Sequence, residues 1–205
     1  MNYLISNFDK VLKLLFEHLY LVSLSLFTAL VIATVLGIII SRYKFLYGPI
    51  IGSLGIIYTI PSIALFALMI PFTGLGFKSA FIALVAYSQM ILVRNIVAGI
   101  RGIDPAIIEA AKGMGMGKWR ILFKIETPLA LPVVIGGIRI ATISIIGIAT
   151  IAAYINAGGL GELIFEGIYQ DHSQKIIAGT IAVAVLAISA DLGFRLLERK
   201  LNTKG

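Results

Sequence analysis

Residues 101–130 read RGIDPAIIEAAKGMGMGKWRILFKIETPLA, a mixed-charge stretch set between two long apolar runs, 79–100 and 131–155. A simple bundle of helices needs only short connections, so a polar excursion of this length asks for a reason. Asp104 is a good N-cap, and Pro105 suits the first helical position, where a missing N–H costs nothing. Residues 106–112 continue as helix formers, and Gly113 and Gly115 then stop the helix. Beyond Gly117 a second amphipathic turn or two is expected, with Trp119, Ile121, Leu122 and Ile125 alternating against Lys118, Arg120 and Lys124. Pro128 disfavours helical geometry at Thr127 and so should end it. A short exposed helix bounded by glycines is a handle for a partner. Composition alone also allows it to pack under its own bundle.

Outward from this stretch lie the apolar runs. About 20 apolar residues cross the roughly 30 Å hydrocarbon core of a bilayer. Five segments meet that length: 19–40, free of charge; 49–70, inside the charge-free stretch 45–77; 79–100, with Arg94 near its end; 131–155, containing Arg139; and 176–197, interrupted by Asp191 and Arg195. The chain is 59% hydrophobic and 13% charged, against about 25% charged residues in an ordinary globular domain. The class is all-α and membrane-integral. A net charge of +7 is also a mark of nucleic-acid binders, but the basic residues lie between apolar runs and form no solvated patch. With no cysteine, and with His18 and His172 far apart, neither a thiolate nor a histidine metal site is expected.

The cations set the orientation. With the N-terminus outside, the inner loops and tail carry Arg42, Lys44, Arg101, Lys112, Lys118, Arg120, Lys124, Arg195, Arg199, Lys200 and Lys204; the outer segments carry only Lys10, Lys13, Lys78 and Lys175. N-out, C-in is therefore the expected topology. Residues 1–18 do not read as a cleaved signal peptide. Leu4, Phe8, Val11, Leu12 and Leu15 recur at helical spacing, which fits an amphipathic segment on the outer interface or a lead-in to the first span. Residues 199–205 form a cytoplasmic tail.

Glu109-Ala110-Ala111, three residues, Gly115, nine residues, Ile125 and then Pro128 match the EAA motif of bacterial ABC importer permeases. Thr127 stands where that pattern usually has Leu. The resemblance implies a MetI-like, type I ABC importer permease over residues 19–198, with five transmembrane helices and a coupling helix within loop 101–130. Asp104, Glu109, Ala110, Ala111, Gly113, Gly115, Ile125 and Pro128 would then make or shape the contact with the ATPase. It also implies two ATPase subunits carrying the ATP and Mg, with no cofactor on this chain. A second permease copy or sister permease, an extracytoplasmic substrate-binding protein and a bacterial inner-membrane location complete the implied assembly. Residues 94–105 (RNIVAGIRGIDP), Thr59-Ile60-Pro61-Ser62 and Ala157-Gly158-Gly159-Leu160-Gly161 are similar to the branch that imports glycine betaine, carnitine and choline. Permeases for methionine share the Gly-Gly-Leu-Gly stretch, and methionine or ergothioneine is the alternative cargo.

The chain itself lacks a phosphate-binding loop. The nearest approach, Gly117-Lys118, has Lys112 where the first glycine belongs and Trp119 where a hydroxyl belongs. The expectation is a transport subunit, not an enzyme. A secondary transporter would show an internal repeat, and the loop motif has no second copy. Pathway and gating candidates are Tyr58, Thr59, Pro61 and Ser62 around a mid-span kink; Arg94 and Arg139, close enough to the cytoplasmic ends to snorkel; Asp191, spaced for an intrahelical pair with Arg195; and Asn156, Gly158 and Gly159. The last three open an outer segment, 156–175, with Glu162, Glu166, Asp171 and His172. Family resemblance assigns a high-affinity aromatic cage to the separate binding protein, so no substrate ligand is assigned on this chain.

Overall fold

The computed structural model describes residue 3 and residues 6–202, and every regular element among them is helical. The first long helix, α1 (Phe8–Arg42), spans 35 residues. That is about 52 Å at 1.5 Å per residue, well beyond the hydrocarbon thickness. Residues 8–18, read from sequence as an interfacial segment or a lead-in to the first span, form no separate element: from Phe8 the helix continues without a break. Its buried face runs through the would-be junction as Leu14, His18, Leu21 and Val22, and no glycine or proline interrupts it there. Leu4 and residues 203–205 of the tail lie outside the described residues.

A 3-10 turn (Lys44–Leu46) leads into α2 (Tyr47–Thr59), which is followed by α3 (Ser62–Thr73). These two helices meet at 99°. Pro61 was expected to kink a single span; it breaks the segment into two half-helices instead. Ile60 is extended, with ψ of 129°, the geometry that a proline imposes on the residue before it, and Pro61 itself has ψ of 135°. The carbonyls at the break are both satisfied: the Tyr87 hydroxyl, from another helix, donates to Ile60, and Leu65 N–H, in the first turn of α3, donates to Pro61 at 3.0 Å. Among the described residues four helices are long and apolar enough to cross a membrane, or five if this bent pair counts as one.

The core is built on α4 (Phe77–Arg101), which packs against α1 on one side and α7 (Thr127–Ala152) on the other. Close approach to α1 follows from a stripe of small side chains at fourfold spacing, Ser25, Ala29, Ala33 and Gly37, all buried. A Cβ on Gly37 would lie 2.5 Å from Ile96 Cγ2, and one on Gly137 would lie 2.4 Å from Asn95 Cβ. Those distances leave no room for a methyl group.

Loop 101–130 holds a short helix, α5 (Pro105–Gly113), and a single turn, α6 (Lys118–Ile121). Pro128 does not end this second helix as expected. Residues 122–126 form a π-helical turn that runs straight into α7. The Thr127 N–H donates to the Leu122 carbonyl five residues back, and its hydroxyl reaches the same oxygen at 2.8 Å. One wider turn accommodates the proline ring without breaking the rod. Beyond α7, α8 (Gly161–Tyr169) and α9 (Ser173–Asn202) complete the chain. Most of the apolar surface of α9 is left uncovered by the other described residues.

Candidate functional site

The local chemistry of loop 101–130 produces a helix capped at both ends. Asp104 Oδ1 accepts from the Ala106 N–H at 2.8 Å, with Pro105 at the first position. At the other end Gly115 takes φ +74°. Met116 N–H then reaches the Ala111 carbonyl at 3.1 Å, and Gly115 N–H reaches Lys112 at 2.9 Å. This pair of bonds is a Schellman stop. Gly113, expected to share in the stop, is the last helical residue, and the reversal falls at Gly115 alone.

Of the α5 side chains only Ala111 is buried; Glu109 and Ala110 face outward. Glu109 forms no ion pair among the described residues. The helix therefore does not tuck under its own bundle. Ile107, Met114, Trp119 and Phe123 are also exposed, and the Trp119 and Phe123 rings stack with centroids 6.1 Å apart. Trp119 was expected on the apolar side with Ile121, Leu122 and Ile125. The structure buries Ile121 and Leu122, half-buries Ile125 and turns Trp119 out beside the basic side chains. Pro128 is exposed at the head of α7.

Both flanks of the loop grip the end of α1. Arg42 binds Glu126 through both guanidinium nitrogens, at 2.8 Å for Nη1 to Oε1 and shorter still for Nη2 to Oε2. The Glu126 side chain is 4% exposed and that of Arg42 44%. On the other flank Arg101 donates to the Ile40 carbonyl at 2.7 Å and lies over the Tyr47 ring, 5.0 Å from its centroid. The Ile40 carbonyl lies at a helix C-terminus, where such oxygens lack an intrahelical donor. Sequence reasoning did not single out Arg42, Arg101 or Glu126. The available signal was one carboxylate, Glu126, isolated among Lys118, Arg120 and Lys124.

Charges within the long helices divide into two kinds. Arg139 of α7 does not snorkel: its Nε donates to Asp191 of α9 at 2.5 Å and its Nη1 to Glu198 at 3.1 Å. Asp191 also takes the Arg195 guanidinium at 2.7 Å. The spacing of Asp191 and Arg195 suggested a pair within one helix; the structure makes it part of a four-residue network between two helices. Arg94, by contrast, has no ion pair or hydrogen bond among the described residues. It lines a cavity of about 500 Å3 with Tyr58, Met90, Ile91, Asn95 and Ala98. Thr59 caps its own helix through the Ile56 carbonyl at 2.7 Å, and Ser62 begins α3 beside Pro61.

At the opposite end of the bundle, Asn156 (φ 62°), Gly158 (φ 77°) and Gly159 (φ 83°) make a tight left-handed turn. Gly159 N–H donates to Glu17 Oε2 at 3.2 Å, and the buried His18 ring contacts the Ile146 carbonyl at 3.2 Å through Nε2. A Cβ on Gly159 would meet His18 Nδ1 at 3.0 Å. The turn thus seats on α1, while Asn156 and Gly158 also border a cavity of about 420 Å3 with Glu162, Phe165, Glu166 and Tyr169.

Glu166 binds Lys10 at 2.8 Å and Lys175 at 3.1 Å, tying α8 to α1 and α9. The hydrogen bond from Lys10, opposed in part by burial and reinforced by Lys175, holds the Glu166 carboxyl below its ordinary value. Because the folded state binds this proton less readily than the unfolded chain, the stabilisation is complete above the unfolded value, about 4.3. It is lost as pH falls through the lower, folded value. The gap in thermal unfolding midpoint between the native chain and E166Q is therefore expected to hold from neutral pH down to about 4.3 and to narrow below it. A gap independent of pH would remove the ion pairs as its cause.

Comparison with known proteins accounts for this architecture. A family model described as "Binding-protein-dependent transport system inner membrane component" matches residues 17–203. The chain is 38% identical over 205 residues to the glycine betaine/carnitine/choline transport system permease protein OpuCB of Bacillus subtilis, covering 100% of this chain and 94% of that protein. It is 40% identical over 209 residues to the osmoprotectant import permease protein OsmW of Salmonella typhimurium, covering 100% and 97%. In fold it resembles a chain of the MetNI methionine ABC transporter in an inward-facing conformation, with a TM-score of 0.87, 22% identity and coverage of 95% and 97%. The chain belongs to the binding-protein-dependent transport system inner membrane components, the permease subunits of ABC importers, which are not enzymes and leave ATP hydrolysis to separate subunits.

Proposed function

We propose that this permease forms half of the translocation pathway of an ATP-driven importer of osmoprotectants bearing a quaternary ammonium group, among them glycine betaine, carnitine and choline. The observation that carries this reading is similarity along the whole chain to permeases named for those solutes, at 38–40% identity. The finer assignments follow from it. The N-terminus lies outside and the C-terminus in the cytoplasm, the orientation that the distribution of Lys and Arg favours. Two ATPase subunits, a second copy or sister permease and an extracytoplasmic binding protein complete the importer.

The helix α5 is the coupling helix. Its exposed Glu109 and Ala110, its two caps and the exposed Ile107, Met114 and Trp119 around it suit a groove on the ATPase. ATP binding closes the two ATPases, α5 follows its groove as a short lever, and the spans rock between outward and inward access. No covalent step occurs on this chain.

The test is ATP-driven uptake by the complete importer in lipid vesicles, with labelled glycine betaine, carnitine and choline set against methionine and ergothioneine. Accumulation of one or more of the first three, dependent on ATP and on the binding protein, is expected. Accumulation of methionine or ergothioneine alone would overturn the substrate class. Uphill movement by this chain without an ATPase would overturn the coupling.

A further inference from the structure

A lone guanidinium on an otherwise apolar membrane helix is costly unless something neutralises it. The charges of α7 and α9 neutralise one another through Arg139, Asp191, Arg195 and Glu198. Arg94 has no such partner among the described residues, and it opens onto a cavity of about 500 Å3, within the roughly 300–1,000 Å3 range of small-molecule sites. No carboxylate lines that cavity. Tyr58 does, and the residue is 41% exposed. Tyr58 is braced edge-to-face on Tyr87, with centroids 6.0 Å apart, and Tyr87 is in turn anchored by its hydroxyl on the Ile60 carbonyl at the helix break. The remaining lining is Met90, Ile91, Ala98 and Asn95, and the Asn95 amide nitrogen is committed to the Ile91 carbonyl at 2.8 Å.

The cavity thus offers one free cation, one rigid aromatic ring and apolar walls. A guanidinium fork matches a carboxylate in two-point geometry, and a tyrosine face attracts a quaternary ammonium. We propose that this cavity is a transit site for small zwitterions that carry both groups, with Arg94 holding the carboxylate and Tyr58 facing the ammonium. The inference rests on the osmoprotectant reading and sharpens it. Glycine betaine and carnitine carry a carboxylate; choline carries a hydroxyl in its place and is a net cation that Arg94 repels. The cavity therefore favours the zwitterions, whatever the binding protein delivers.

The test is ATP-driven uptake by the complete importer, with one binding protein throughout and labelled glycine betaine, carnitine and choline as probes. R94Q is expected to lower the ratio of betaine to choline uptake about tenfold, the scale of a charge-assisted bidentate pair. R94K, which keeps the charge and loses the fork, lowers it by a smaller factor. Y58A reduces uptake of all three, and Y58F restores it. An unmoved ratio in both R94Q and R94K overturns the proposal, whether total uptake survives or falls. Arg94 then serves an anion of the sister permease or a lipid phosphate. Uptake of choline alone by the native importer also overturns it. If the native importer accumulates none of the three, the osmoprotectant reading itself fails.

Discussion

With Glu109 replaced by Lys and Gly115 by Ala in the same chain, ATP-driven uptake is expected to fall about a hundredfold, the consequence of losing roughly 3 kcal/mol of coupling contact. The chain still inserts, because neither residue belongs to a long apolar helix. The two changes act on different links. Gly115 sits at φ +74°, where an L-residue costs about 1–2 kcal/mol. The helix it terminates has only nine residues and buries only Ala111. A helix that short is marginal without its caps, and little packing replaces them. Glu109 is exposed and carries no ion pair among the described residues, so its reversal to lysine alters what a partner meets without disturbing the fold. The measurements are uptake and binding-protein-stimulated ATP hydrolysis by the assembled importer, normalised to the amount of permease in the membrane. Native uptake in the double variant would remove α5 from the coupling path.

That prediction draws in part on a helix whose two ends were legible in the sequence, because each end is set by chemistry over a few positions. The caps at Asp104 and Gly115 are local chemistry, and the structure forms both as hydrogen bonds within five residues. The charge-free run 19–40 required a long apolar helix for the same reason. Three features were not legible. A proline in an apolar segment permits either a kink or a break. The choice at Pro61 is tied to the Tyr87 hydroxyl, 27 residues from the Ile60 carbonyl that it satisfies. Pro128 looked like a helix terminator because the rule for the preceding residue is a preference, and one π-helical turn was enough to evade it. Arg139 looked like a snorkelling cation because its partners Asp191 and Glu198 lie 52 and 59 residues away. Such pairs are decided by which helix faces meet.

The pair most deeply hidden in this way, Arg42 and Glu126, 84 residues apart, carries the second large effect, and its asymmetry makes it testable. Removing one member of a buried ion pair is costly because it leaves the other charged and dry, at about 3–5 kcal/mol when both are buried. Here only Glu126 is buried; Arg42 is half-exposed and can rehydrate. R42A is therefore expected to destabilise the chain by about 3 kcal/mol, the lower end of that range, and E126Q by distinctly less. The double variant R42A/E126Q, with no stranded charge, should regain much of what R42A loses. Thermal unfolding of the four proteins in one lipid environment gives this cycle directly, and R42A no more damaging than E126Q would contradict it. The transport consequence is separate. Arg42–Glu126 on one flank and Arg101 on the Ile40 carbonyl on the other make the end of α1 follow loop 101–130. The neutral double variant keeps the fold and loosens that hold. It should hydrolyse more ATP per solute imported than the native importer, and an unchanged ratio would mean that α1 takes no part in the stroke.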